Sequence, residues 1–268
     1  MIKNFARILV RFCIPFIEKF VGFYTDPTGH LPIRLKMLFG CYESEVTGLI
    51  KKMLPSSGVF IDVGANVGFI SHFVIKKCSF NGKVYAVEPN PNVYSILQKN
   101  VAMTDRISLY NIALANETGF ATFYCGIDSA VGSLVKGYNE SHHASNPKWV
   151  AVKEISVDVH KGDQLFANLA NIDILKIDVE GYEMQAFLGM EKMINSKKIK
   201  KILMEFCPFS QRCAGLDPGD LISFFIDRDY KLYGTEDSWI DLEITNVNKN
   251  RLISSLGERG YTTLLVSA

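Results

Sequence analysis

The sequence predicts an open α/β sheet, on three observations. Short apolar runs rich in Val and Ile, such as GVFIDV, KVYAVE, IDILKID and KILMEF, have the composition of strands buried on both faces. They alternate with helix-length segments, the order that builds a largely parallel sheet. Polar clusters fall where these runs end, which is where such a sheet gathers its ligands.

The elements can be justified in order. MIKNFARILVRFCIPFIEKFVGFY is apolar but carries Lys3, Arg7, Arg11, Glu18 and Lys19, so it is neither a clean membrane span nor a secretory signal. At helical spacing Phe5, Ile8, Leu9, Phe12, Phe16 and Phe20 share one side, while Asn4, Arg7, Arg11 and Glu18 share the other; Pro15 is a place for a kink. Two readings stand for this amphipathic helix: it packs on the domain or on a second subunit, or it rests on a membrane surface. Residues 1–41 are therefore expected as a helical appendage and 42–268 as the sheet domain.

From Tyr42 a helix is predicted at ESEVTGLIKKML, a strand at GVFIDV, a helix from Gly68 to Cys78 and a strand at KVYAVE. A helix at PNVYSILQKNV, strands at ISLYNIAL and IDILKID, a helix near YEMQAFLGM and a strand at KILMEF continue the alternation. Between Ala115 and His160 the rhythm breaks into FATFYCGIDSAVGSLV and WVAVKEISVDV, extended pieces that read as a β insertion over one edge or mouth. DLISFFIDRDY is a helix, YKLYG a strand, and YTTLLVSA the apolar last strand.

Composition narrows the function. Lys and Arg total 29 against 28 Asp and Glu, a net charge of +1 that gives no general footprint for nucleic acid; KKIK with Lys201 reads as a solvated helix end. The six cysteines form no CxxC pair, suit a reducing, cytoplasmic compartment, and leave only Cys207 and Cys213 near enough in sequence to meet. His142 and His143 lack a third ligand nearby and read as solvated, so no metal site is assigned to them.

The strand-end loop FIDVGANVGF can serve a nucleotide cofactor, and spacing decides which. A dinucleotide fingerprint wants glycine at the place of Asn66 and again at Phe69, so a pyrophosphate loses its close backbone approach. S-adenosylmethionine carries no phosphate, and its methionine end needs an acceptor with backbone groups around it, which Asp62, Gly64, Asn66 and Gly68 supply. Glu88, ending the second strand, is placed to accept from ribose hydroxyls in either cofactor.

FIDVGANVGF, AVEPNPNVYSILQKN, NIALANETG, DILKIDVEGYEMQAFLGM and ILMEF together resemble the FkbM-type methyltransferases, a family of class I S-adenosylmethionine-dependent enzymes, from about residue 58 to about 206. The resemblance implies a Rossmann-like sheet of seven strands with the last antiparallel, S-adenosylmethionine as methyl donor, and transfer mostly to oxygen on small metabolites or sugars. It implies that Asp62, Gly64, Asn66 and Gly68 hold the methionine part and Glu88 the ribose, with Asn111 and Ala113 in the segment that flanks adenine. HKGDQL, where a TLD-like segment is usual, and the N-terminal helix depart from the pattern and touch substrate and location, not the cofactor.

For the chemistry, Lys176, Asp178 and Glu180 fall on one side of the strand as it runs out, making either carboxylate a candidate base and Lys176 a partner for it or for an anionic acceptor. The competing structural reading is a buried Lys176–Asp178 pair that only fixes the strand end, with Glu180 opening the next helix. A divalent metal shared by Asp178, Glu180 and Glu205 is a further alternative, and no metal is assigned. Tyr182, Ser129 and Ser133 are candidates for shaping the acceptor pocket, although serines there also suit turns. Three function classes remain: an O-methyltransferase acting on a sugar, glycan or small metabolite, a nicotinamide-dependent oxidoreductase, and a nucleoside-binding scaffold of the same fold.

Overall fold

A computed structural model describes residues 2–126, 132–138, 153–235 and 242–268, with side chains described from residue 12 onward. His142, His143 and Ser129 lie outside the described residues, as does the start of the WVAVKEISVDV run.

The helices before the first strand are α1 (Ile2–Val21), α2 (Leu31–Leu38) and α3 (Ser44–Met53). The alternating part then runs β1 (Val59–Val63), α4 (Phe69–Lys77), β2 (Lys83–Val87), α5 (Pro91–Val101) and β3 (Ile107–Tyr110). After β4 (Ala113–Leu114), β5 (Gly119–Cys125), β6 (Lys153–His160) and the short α6 (Gly162–Leu165), it resumes with β7 (Ile174–Ile177), α7 (Glu183–Leu188), α8 (Glu191–Asn195) and β8 (Lys201–Phe206). The chain closes with α9 (Pro208–Cys213), α10 (Pro218–Ile226), β9 (Lys231–Gly234), β10 (Glu243–Ile244), α11 (Lys249–Ser255) and β11 (Thr262–Ser267).

The main sheet has the order β10-β9-β11-β8-β7-β1-β2-β3. β3, β2, β1, β7 and β8 are parallel, while β11 slots antiparallel between β8 and β9. Seven strands thus take the expected arrangement with the last one antiparallel, and the two-residue β10 adds an eighth beside β9. Strand order reverses between β1 and β7, so the carboxyl ends of these two strands open the crevice in which open α/β sheets bind ligands.

The two-residue period of each strand feeds two cores. Ile61 and Val63 of β1, with Leu175 and Ile177, join Phe187, Ile194, Leu221, Phe225 and Leu252 on one face. Phe60, Val84, Ala86 and Ile174 pack on the other against Ile50, Val74 and Leu97. Phe187 meets Phe225 edge-on with ring centroids 4.8 Å apart, one contact in an aromatic block under β7 and β8.

The N-terminal segment is tied into the second core. Ile14, Phe23 and Leu38 are buried there, and α1 continues through Pro15. Glu18 accepts from the Thr25 amide at 2.9 Å and hydroxyl at 2.5 Å and sits 3.4 Å from Arg34. The side chain of Asn100, fully buried, exchanges two bonds with the backbone of Tyr24 and donates a third to the Val67 carbonyl.

One predicted strand is two. ISLYNIAL splits into β3 of the main sheet and β4 of a separate three-stranded sheet, order β4-β6-β5. The break falls at Asn111, whose side-chain amide donates to the carbonyls of Glu88 (2.8 Å) and Pro89 (2.9 Å) in place of a ladder neighbour. The small sheet is the expected β insertion, built mainly by the antiparallel β5–β6 pair. All six cysteines are free thiols, Cys207 and Cys213 included.

Candidate active site

The loop after β1 is shaped by its backbone. Gly64, Asn66 and Gly68 all have left-handed φ, at 74°, 50° and 85°. The Gly64 and Ala65 amides donate to the Val87 carbonyl, each at 3.0 Å, folding the loop back over β2. A Cβ on Gly64 would stand 1.8 Å from the Asp178 carbonyl oxygen, so glycine lets the β1 and β7 ends touch. Asn66 reaches the left-handed region as asparagine readily does, and its own Oδ1 accepts from the Val67 amide at 2.7 Å.

Glu88 is buried and clamped. Its two oxygens accept from the Asn66 amide (2.9 Å) and the Asn90 amide (2.8 Å), leaving further lone pairs directed at the same crevice. Burial pushes its pKa up to about 7 despite those two donors. Asp62 is buried completely; Oδ2 takes the Ser71 hydroxyl at 2.7 Å, and Oδ1 has no partner among the described residues. Burial likewise raises the Asp62 carboxyl above its usual range.

Across the crevice β7 ends at Ile177, and a tight turn carries Asp178 to Gly181. Lys176, buried, lies 3.3 Å from Asp178. Burial works against its charge, but Asp178, Glu43, Asp62 and Glu205 outweigh it and hold the ammonium well above the usual lysine range. Glu180 reaches the crevice through a left-handed φ of 54°, followed by Gly181 at 96°, rather than by simple strand alternation. Its carboxylate accepts a short bond from the Tyr138 hydroxyl, and its carbonyl accepts from Ser133 Oγ at 2.7 Å. Burial, followed by the Asp178 charge, pushes Glu180 up to about 8.

Two neighbours fix this turn from behind. Glu183 accepts from the Val179 and Gly181 amides at 3.1 and 3.3 Å and from Gln211 at 2.5 Å. Oxygen atoms of Asp178, Glu180 and Glu205 all come within 4.8 Å of one another, a spacing that can hold a cation. The Lys176 ammonium already supplies positive charge to one of the three. Burial, with Asp178 and Glu180 beside it, raises Glu205 well above the carboxylate range.

These groups share one cavity of about 600 Å³, a size suited to a cofactor with part of an acceptor. Gly64, Asn66, Glu88, Ala113, Lys176, Asp178 and Glu180 line it, as does Tyr182. Asp62 and Gly68 support the wall from behind. Asn111 does not line it either; its amide secures the Glu88–Pro89 backbone. Ser133, also behind the wall, is the turn former that pins Glu180.

Sequence reasoning missed Tyr42, Glu43, Tyr138 and Phe209 in the wall. Glu43 has a left-handed φ of 45°, and its Oε2 is buried without a partner among the described residues. That lone strained acid ahead of a helix leaves no mark in a sequence, and Tyr138 comes from a segment with no regular pattern. The crevice therefore gathers Glu88, Glu43, Asp178, Glu180 and Glu205 around the buried Lys176, with Asp62 behind the wall and Lys36 and Arg259 also lining it.

Comparison with known proteins gives the family. Residues 62–232 match the family model described as the methyltransferase FkbM domain. The hexuronic acid methyltransferase AglP of Haloferax volcanii is 26% identical over 214 residues, 78% of this chain and 74% of that protein. Methyltransferase sdnD of Sordaria araneosa is 24% identical over 52% of this chain, which spans 62% of that relative's length. The 2-O-methyltransferase NoeI of Sinorhizobium fredii is 23% identical over 58% of this chain and 65% of its own. Among solved structures, a precorrin-6y C5,15-methyltransferase from Geobacter metallireducens aligns with TM-score 0.43 and 11% identity, covering 84% of this chain and 89% of that one.

Proposed function

The chain belongs to the FkbM methyltransferase family, and from that premise we propose that it transfers a methyl group from S-adenosylmethionine to a hydroxyl oxygen of a sugar or glycan. The observation that carries this reading is the pairing, across one crevice, of a clamped Glu88 and an open left-handed loop with the Lys176, Asp178 and Glu180 turn.

The residues fit the cofactor. Asp62, buried behind the wall with Oδ1 unpartnered among the described residues, backs the left-handed loop that would hold the methionine end. Glu88, held by two amides, can accept from a ribose diol without moving. S-adenosylmethionine supplies a methyl group already activated by its sulfonium. What remains for the chain is alignment and proton removal, and alignment alone can be worth about 7–11 kcal/mol.

Glu180 would take the proton from the acceptor hydroxyl as its oxygen gains the methyl, the sulfur–methyl bond of the donor breaking to leave the neutral thioether S-adenosylhomocysteine. The Glu180 pKa of about 8 lies near neutral pH, where a base is most effective. Tyr138 holds the carboxylate, while Lys176 holds Asp178 beside it as a positioning pair. Tyr42, Tyr138 and Tyr182 give the acceptor side apolar faces with polar tips, and Phe209 adds an apolar face, suited to a sugar ring. The relatives named for a hexuronic acid and for 2-O-methylation support an acceptor of this class.

The test is transfer of labelled methyl to a panel of sugars, uronic acids and simple alcohols. Asp178→Asn and Glu180→Gln should each abolish transfer while cofactor affinity stays within a few-fold. Full turnover in both variants would reduce the turn to a structural device.

A further inference from the structure

We propose that Glu43 takes the ammonium at the methionine end of the methyl donor, an assignment that rests on the function proposed above. Glu43 precedes residues 62–232, which match the family model, so that match gives it no role. It stands where a residue would cap α3, yet its side chain makes no capping bond. The side chain lines the cavity instead, and its Oε2 is buried with no partner among the described residues. A buried acceptor left open on a cavity wall is a group whose donor arrives with the ligand.

The backbone holds the carboxylate in that place. Glu43 is left-handed, with φ of 45° and ψ of 46°, a conformation that residues other than glycine seldom take. The Thr47 amide and hydroxyl donate to its carbonyl at 2.9 and 3.1 Å, tying the strained residue to the first turn of α3. Strain of this kind collects at ligand clamps.

The sheet selects the ligand group that reaches it. At the switch point between β1 and β7, Asp62 and Lys176 are partners in register. The charges that Glu43 feels are those of Lys176, which attracts it, and of Asp178 and Asp62, which repel it, so Glu43 belongs to this point. Glu88, the acceptor for the ribose, follows β2 on the other side of β1. The ribose is the middle of S-adenosylmethionine, with the base to one side and the methionine end to the other. Pro89, Ala113 and Leu114, beyond Glu88 toward β3, offer a base an apolar wall. The methionine end then runs back over the β1 loop to the switch point. Its ammonium donates, and of the carboxylates there Asp178 already faces Lys176, Glu180 faces Tyr138, and Asp62 stands behind the wall.

The test is calorimetric titration of the full chain and of Glu43→Gln with S-adenosylhomocysteine and with its analogue in which hydrogen replaces the amino group, after thermal melts confirm folding. The parent should prefer S-adenosylhomocysteine by on the order of tenfold or more, and the variant should lose that preference while binding the deaminated analogue within a few-fold of the parent. If Glu43→Gln fails to fold, Glu43→Gly, which suits the left-handed backbone, carries the same comparison. Glu45, whose Oε1 is also open on the cavity wall, supplies the control in Glu45→Gln, which should keep the preference. A parent that binds the two compounds equally, a preference intact in the Glu43 variant, its loss in Glu45→Gln instead, or equal weakening of both compounds would each overturn the assignment and leave the methyl-donor reading standing. A parent that binds neither S-adenosylmethionine nor S-adenosylhomocysteine would overturn both.

Discussion

Gly64→Ala tests the joint between the two halves of the site. Gly64 has φ of 74°, and a Cβ there would lie 1.8 Å from the Asp178 carbonyl oxygen. The left-handed backbone costs a non-glycine residue about 1–2 kcal/mol. Relieving the overlap requires a shift of backbone, at about 1–3 kcal/mol by analogy with overpacking. Gly215 supplies the control, with φ of 76° and nothing within 4 Å of its Cβ position. At ~2–4 °C per kcal/mol for a chain of this size, Gly215→Ala should lower the melting temperature by ~2–8 °C and Gly64→Ala by ~4–20 °C, always the larger of the pair. The displaced Asp178 carbonyl should also cost Gly64→Ala its methyl transfer, while Gly215→Ala keeps it. Thermal melts and a transfer assay on the two variants side by side read both effects. Equal melting temperatures and equal turnover would refute the claim that the two strand ends are locked together at this glycine.

Two further predictions concern protons. Glu88, Glu180 and Glu183 have pKa values raised from 4.5 to about 7, 8 and 7, so their neutral forms are favoured by folding. Their stabilising contribution is full below about pH 4.5 and is lost as pH rises through about 7–8. Melts of the protein alone should therefore fall between pH 5.5 and 8.5, and the increase caused by S-adenosylmethionine should be larger at the higher pH; a flat profile would show that these carboxyls are not raised. Tyr138→Phe removes the hydroxyl that stabilises ionised Glu180, so the acidic limb of the kcat/KM profile should move to higher pH; an unmoved limb would exclude Glu180 as the base.

The parts of the site carried by strand ends were legible in the sequence. Asp62, Glu88, Lys176 and Asp178 sit at the ends of buried Val- and Ile-rich runs, and the sheet delivers such ends to one crevice whatever the loops do. Glu180 turns inward through a left-handed backbone, which strand alternation alone does not predict. The Asn111 amide competes for backbone carbonyls and breaks the predicted ISLYNIAL strand in two, which no periodicity of that run foretells. Tyr42, Glu43 and Tyr138 were invisible because they arrive through tertiary contacts from segments with no strand-end signal; Tyr138 meets Glu180 across 42 positions. The aromatic row of α1 was legible as amphipathic, but only burial of Ile14 and Glu18 shows which side the domain takes.

The most direct test of the central claim is calorimetric titration of the full chain with S-adenosylmethionine, S-adenosylhomocysteine and NAD, repeated with Glu88→Ala. Binding of the first two, sharply weakened by the substitution, with no heat from NAD, is the predicted result. Binding of NAD equal to that of S-adenosylmethionine, or binding of neither methyl-donor species, would contradict it.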